Sequence, residues 1–186
     1  MPLQTERLCC RAVRSSDVDT LFTIYGDPAT NVFNPAGPYA DIHKAASVLK
    51  QWMAHWTERG FGNWAISLHD EPEKIIGFGG VSVRRCAGFF INNLGYRFAT
   101  EAWGKGVATE FSLAAIHYGF NTLRLDDISA VVRANHLASQ KVLLKSGMSF
   151  SKEVHDVENA PPSLLFTLTR DEWRKNAHSP PFLPLA

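Results

Sequence analysis

A chain of 186 residues, 45% of them hydrophobic, is long enough to bury one sizeable core and gives no sign of a second domain. The formal net charge is +1 and Lys and Arg form no block, which argues against general nucleic-acid binding. No apolar run is long enough for a bilayer and no signal-peptide order opens the chain. Cys9, Cys10 and Cys86 match neither a disulfide framework nor a zinc motif, so no metal and a reduced cytoplasmic setting are expected.

In chain order, Leu8 to Val13 reads as a first strand with its two cysteines on opposite faces, both as packing residues. Ser16 is placed to cap a helix from Asp17 that turns Val18, Leu21, Phe22 and Tyr25 inward, with Asp19 completing a capping-box variant. The stretch from Asn31 to Tyr39 is a breaker-rich loop holding Phe33 and Tyr39. Asp41 then caps a second helix, in which Ile42, Ala45, Ala46, Leu49, Trp52, Met53 and Trp56 recur at helical spacing and read as core packing.

Asn63 to Leu68 and Ile75 to Val83 read as strands around an acidic turn. Gly77, Gly79 and Gly80 in the second suggest a bulge or a close backbone approach. The next strand, Phe89 to Phe98, contains Gly95, the expected place for a kink that splays it from a parallel neighbour. Such a splay leaves backbone groups free to pair with an amide-containing ligand, as an added strand would. Asp127 to Arg133 is strand-like, and strand, helix, strand implies a parallel crossover and an α/β architecture. A helix from Leu137 to Lys145 ends at Gly147, and Met148–Asp156 with Leu164–Thr169 forms a closing hairpin. The domain is expected over 1–176, with a mobile Pro-rich tail over 177–186.

Between Phe98 and the central helix lies Glu101-Ala-Trp-Gly-Lys-Gly-Val-Ala-Thr-Glu110. The helix pattern Val107, Phe111, Ala114, Tyr118 puts Gly104 and Gly106 at a helix N-terminus. The first helical amides have no partner within the helix, and glycines let a phosphate approach them. A tight strand-to-helix connection would need the same glycines. The turn is not a P-loop, because Lys105 is followed by Gly106. It is not a dinucleotide fingerprint either, because Thr109 stands at the third glycine and the next strand ends without an acid.

Four segments, in order, resemble the GNAT N-acetyltransferase superfamily. They are Thr5-Glu6-Arg7-Leu8 with Arg11, Leu94-Gly95-Tyr96, Trp103 to Glu110, and Ala138 to Met148. The match is closest to the RimJ/RimL-type branch, the relatives of ribosomal-protein N-terminal acetyltransferases, and it spans about Thr5 to Trp173. The resemblance implies an α/β single-domain GNAT fold with a mixed central sheet of about seven strands, splayed at strands 4 and 5, and about four helices.

It further implies acetyl-CoA as cosubstrate. Trp103, Gly104, Lys105, Gly106, Val107, Ala108 and Thr109 would hold the pyrophosphate, Leu94, Gly95 and Tyr96 the pantetheine arm, and Asn135 and Ser139 further parts of the coenzyme. Phe33, Tyr39 and Asn93 fall on the acceptor side. Ser139 and Tyr96 are the candidate catalytic residues, with backbone amides near Gly95 or Tyr96 stabilising the oxyanion as a primary amine attacks directly.

The chain departs from that pattern at three positions. Asn93 stands where many relatives have a glutamate base, and Leu143 where many have a tyrosine acid. Three residues before Ser139 stands His136 rather than asparagine, with Asn135 one place early. Ser139 is thus a coenzyme contact or weak acid, or a helix-start hydroxyl. Glu101, Glu110, His155, Asp156 and Glu158 are weaker candidates. The acceptor is a small-molecule amine or a peptide or protein N-terminus. No membrane association is expected, and the chain is a monomer or homodimer. The rival expectation is a catalytically weak module that binds acyl-CoA without turnover.

Overall fold

The computed structural model describes residues 2–177. Its elements are β1 (Leu3–Gln4), β2 (Leu8–Ala12), α1 (Val18–Tyr25), α2 (Ile42–Arg59), β3 (Asn63–Leu68), β4 (Ile75–Cys86), β5 (Phe89–Phe98), α3 (Val107–Asn121), β6 (Asp127–Arg133), α4 (Leu137–Lys145), β7 (Ser149–Val154), β8 (Ser163–Thr169) and α5 (Arg170–Ala177). The expected Pro-rich tail lies outside the described residues, apart from Ala177, which closes α5.

The strands form one 8-stranded mixed sheet in the order β1-β2-β3-β4-β5-β6-β8-β7. The strand beyond the expected seven is β1, which pairs with β2 at Leu3↔Cys10 and Gln4↔Cys9, so the splay falls between β5 and β6 in this count. The helix beyond the expected four is α5.

Local chemistry sets the helix ends. Asp41 caps α2 as expected, its Oδ1 accepting from the Lys44 amide at 3.0 Å, which contributes about 1 kcal/mol. The buried stripe of α2 is narrower than the spacing suggested. Ala45 and Leu49 are buried, whereas Ile42 and Met53 stay 38% and 37% exposed. Ser16 does not cap α1. Residues Ser15–Asp17 make a 3-10 turn, and the buried Asp17 carboxylate accepts from the Arg14 amide at 2.7 Å and from Arg11 at 2.7 and 2.9 Å. These charge-assisted bonds close the turn, so the cap position of α1 falls on Asp17 and carries no side-chain cap.

Alternation along β3 defines the two faces of the sheet. Trp64 and Ile66 join Leu94, Phe98, Phe111, Ile116, Ile128 and Leu143 in the core beneath α3 and α4. Ala65 joins Val13, Leu21, Ile24, Ala45, Leu49 and Phe78 beneath α1 and α2. Burying a side chain such as Phe111 stabilises the fold by about 1.5–3 kcal/mol. The glycines of β4 serve both a bulge and close approach: the β3–β4 register shifts between Ile66↔Gly77 and Ser67↔Ile75, and Gly79 serves close approach. A Cβ on Gly79 would stand 2.8 Å from the Phe111 ring and from the Gly95 carbonyl, so α3 settles directly on β4 and β5.

Two features of the central strands refine the expectations. First, β4 runs past Val83 to Cys86, because Ala87 and Gly88, at φ 46° and 91°, close a tight hairpin to β5. The hairpin end packs Cys86 and Ile91 against Val154 and Leu165, and Asp156 ties it down through Arg84 at 3.4 Å and Arg133 at 3.7 Å. Second, β4 and β5 pair through Gly95 without a register shift, from Gly77↔Phe98 to Cys86↔Phe89, so β5 parts from β6 and not from β4. The splay arises because β5 and β6 pair only at Asn93↔Ser129 and then diverge.

Candidate active site

The C-terminal half of β5 keeps its β4 neighbour and loses its β6 neighbour, so its backbone edge lines a V-shaped opening. Past Phe98 the chain turns through Thr100–Ala102, and Trp103 donates its indole N–H to the Phe98 carbonyl at 3.0 Å. Gly104 and Gly106 then take φ values of 71° and 76°, a left-handed conformation that other residues adopt only at a cost. The first backbone bond of α3 runs from the Glu110 amide to the Gly106 carbonyl. Among the described residues, the amides from Gly104 to Thr109 have no partner. Unpaired amides at the positive end of a helix dipole form an anion site.

That turn is held from the far end of the chain. Glu110 Oε1 accepts from the Thr5 hydroxyl at 2.6 Å and the Arg7 amide at 2.9 Å, and its Oε2 accepts from Arg7 Nε at 2.6 Å. Arg7 Nη1 also donates to the Lys105 carbonyl at 2.8 Å. Burial pushes the Glu110 carboxyl up, but the bonds from Thr5 and Arg7 outweigh it and hold the carboxyl below its usual range. Glu110 is therefore a clasp, as Asp156 is. Glu101 pairs with Lys74 at 3.0 Å on the open surface, where such pairs contribute little. Arg7 was legible only as part of a motif, because its partner is 103 residues away.

On the α3 side of β5, the Tyr96 hydroxyl reaches across the opening to Ser139 Oγ of α4 at 3.1 Å. Burial is the main influence on Tyr96, opposed by Ser139 and Ser112, and it pushes the phenol up to about 12. The phenol is thus a neutral hydroxyl at ordinary pH, able to donate or accept. Leu143 is 2% exposed in the core and supplies no hydroxyl.

On the other side of β5, Asn93 is only 9% exposed and its side-chain oxygen has no hydrogen-bond partner among the described residues. Phe33 stacks on His136 with ring centroids 4.1 Å apart, joining the loop after α1 to the turn before α4. Burial, and then the charge of Arg97, lower the His136 pKa. Asn135 is exposed on that turn. Tyr39 packs against Tyr25 at 5.3 Å. The structure thus brings Asn93, Gly95, Tyr96 and Ser139 around one opening, with Phe33 on its rim and Trp103–Thr109 at the end of the same strand. Sequence reasoning read Tyr25 as core packing and Asn31 as loop, and did not single out Arg97. Their one visible signal was a lone arginine in an otherwise apolar strand end.

A parallel pair that parts after one register pair, followed by an amide-rich glycine turn into a helix, makes an α/β scaffold with an open strand edge beside an anion site. The chain belongs to the GNAT acetyltransferase family: the acetyltransferase (GNAT) domain matches residues 7–149. It is 29% identical over 153 residues to the uncharacterized N-acetyltransferase YoaA of Bacillus subtilis, covering 81% of this chain and 83% of that one. Among solved structures, a GNAT-family acetyltransferase from Bacillus anthracis matches with a TM-score of 0.76 at 19% identity, over 92% of this chain and 99% of that one. A ribosomal-protein-S5-alanine acetyltransferase from Vibrio fischeri matches at 0.72 and 22% identity, over 93% and 98%. At these identities the structural matches speak to the fold.

Proposed function

We propose that the protein transfers an acetyl group from acetyl-CoA to a primary amine by direct attack in a ternary complex. The observation that carries this reading is the unpaired run of amides from Gly104 to Thr109, set at the end of a strand whose outer edge is open. The site fits the coenzyme on this structure's own terms: free donors for a diphosphate, and an open strand edge for an amide-bearing arm. Gly106 also leaves space where a Cβ would come to 3.5 Å from Arg7. Trp103 to Thr109 would hold the pyrophosphate, Leu94, Gly95 and Tyr96 the arm, and Asn135 and Ser139 the region toward the thiol.

Acetyl-CoA supplies an activated thioester. The amine nitrogen forms the new C–N bond as the C–S bond breaks, the amine gives up a proton and the departing sulfur takes one. An amide of the open edge, at Gly95 or Tyr96, donates to the carbonyl oxygen as charge grows there, and Ser139, backed by the Tyr96 hydroxyl, is the proton source beside the sulfur. Alignment supplies much of the rate. The RimJ/RimL-type motifs, and the shared fold of the ribosomal-protein-S5-alanine acetyltransferase, support a protein N-terminal amine as one acceptor class. Three free thiols fit a reduced, cytoplasmic setting. The chain would act as a monomer or homodimer.

Asn93 and Leu143 favour a second reading, an acyl-CoA-binding module without turnover, because neither side chain moves a proton. The test is CoA-thiol release from acetyl-CoA across amines, amino acids and N-terminal peptides. Release above hydrolysis with any acceptor supports the enzyme. Coenzyme binding with no release anywhere supports the module.

A further inference from the structure

Strand alternation puts Leu94, Tyr96 and Phe98 toward α3, and Asn93, Gly95 and Arg97 toward α1 and the loop behind it. The Arg97 guanidinium lies 4.3 Å from the centre of the Tyr25 ring, and its Nη1 donates to Asn31 Oδ1 at 2.8 Å. Asn31 is itself fixed, its Nδ2 donating to the carbonyls of Tyr25 and Asp27 at 2.8 Å each. Asn31 opens the loop that carries Phe33, whose ring stacks on His136 at 4.1 Å, so the guanidinium is tied to the segment that joins the two walls of the cleft.

Among the described residues no carboxylate comes within ion-pair distance of Arg97, whereas Arg7, Arg11, Arg84 and Arg133 each have one. A half-buried cation without a partner costs free energy, and one held still by an aromatic face and an amide is organised for an incoming anion. At the inner end of the same face, the buried oxygen of Asn93 is an equally unpartnered acceptor, suited to an N–H donor. From apex to mouth, the face offers a hydrogen-bond acceptor and then a fixed positive charge.

We infer that the acceptor is an amino carboxylate, with its amine directed toward Asn93 and Gly95 and its carboxylate on Arg97. The assignment rests on the acetyl-transfer reading above and narrows its acceptor. A guanidinium binds a carboxylate through paired charge-assisted hydrogen bonds, and it repels acceptors that carry a second ammonium group instead.

The test measures CoA-thiol release with ω-amino carboxylates of increasing length, each beside the n-alkylamine of matching chain. The expected kcat/KM ratio, carboxylate over alkylamine, is about 10- to 100-fold for the best length, the value of a charge-assisted pair. Arg97→Met should bring that ratio toward one, and Arg97→Lys should keep part of it. A variant that merely disturbs the fold lowers both rates and leaves the ratio unchanged, so an unchanged ratio overturns the assignment. Release with equal rates for both series in the unaltered protein also overturns it and leaves acetyl transfer standing. Release with neither series, with the peptides active, assigns the site to peptide amines. No release with any acceptor sinks both readings.

Discussion

On the α3 side of β5 the site is made of backbone: a left-handed Gly106, the amides that follow it, and an unpaired strand edge, with Tyr96 and Ser139 as the one side-chain pair. On the α1 side it is made of side chains drawn from three separate segments. Tyr25, Asn31 and Phe33 come from one wall, Asn93 and Arg97 from the strand, and His136 from the other wall. A backbone site depends on a few glycines and tolerates drift in its surroundings. A side-chain site depends on which residues happen to converge. The first suits a cosubstrate shared by a family, the second an acceptor particular to one member.

If that contrast is right, the largest effect belongs to Gly106→Val. A β-branched residue at φ 76° is strained by about 1–3 kcal/mol and sets bulk beside Arg7. Coenzyme affinity by calorimetry should fall more than about 100-fold, since several charge-assisted bonds are lost together, while circular dichroism shows a folded protein. Unchanged affinity would remove the backbone site from the picture. Next comes Ser139→Ala, expected to lower kcat about 10- to 100-fold with little change in coenzyme affinity. If Tyr96 acts through Ser139, adding Tyr96→Phe to Ser139→Ala should cost little more, and multiplicative losses would count against the pair working as a unit.

The smallest effect tests the clasp beneath the backbone site. Glu110→Gln weakens the bonds from Thr5 and Arg7. Because Arg7 is 45% exposed, solvent screening leaves a loss of about 1–2 kcal/mol, or a Tm lower by about 2–8 °C. The sign with pH follows from a carboxyl held below its usual range. Its stabilisation is complete above the ordinary carboxylate pKa and disappears as pH falls through the depressed folded value. The Tm gap between the two proteins should therefore be widest near neutrality and close on acidification. A gap independent of pH would mean the carboxylate charge is not what holds the turn.

The parts legible in the sequence were those that local rules dictate. Asp41 as a cap, β3, β5, β6 and α4 at their observed bounds, and the glycine turn opening α3 all depend on residues within a few positions of one another. The misplaced parts were decided by competition at a distance. Ser16 does not cap α1, whose cap position falls on Asp17 with its carboxylate held by Arg11 and the Arg14 amide, and β5 stays in register with β4 through Gly95. Glu110, a weaker site candidate in the sequence, is a clasp because Thr5 and Arg7 return to it.

By itself, then, the chain of residues determined the α/β order of its elements and the amide cradle, since periodicity, capping and glycine conformations are short-range properties. Only the tertiary structure decided that β5 and β6 part after a single register pair, that Tyr96 meets Ser139, and that Arg97 stands over Tyr25 with no carboxylate among the described residues to pair it. Those are relations between residues tens of positions apart, set by how the two halves of the sheet diverge, and no local pattern encodes them.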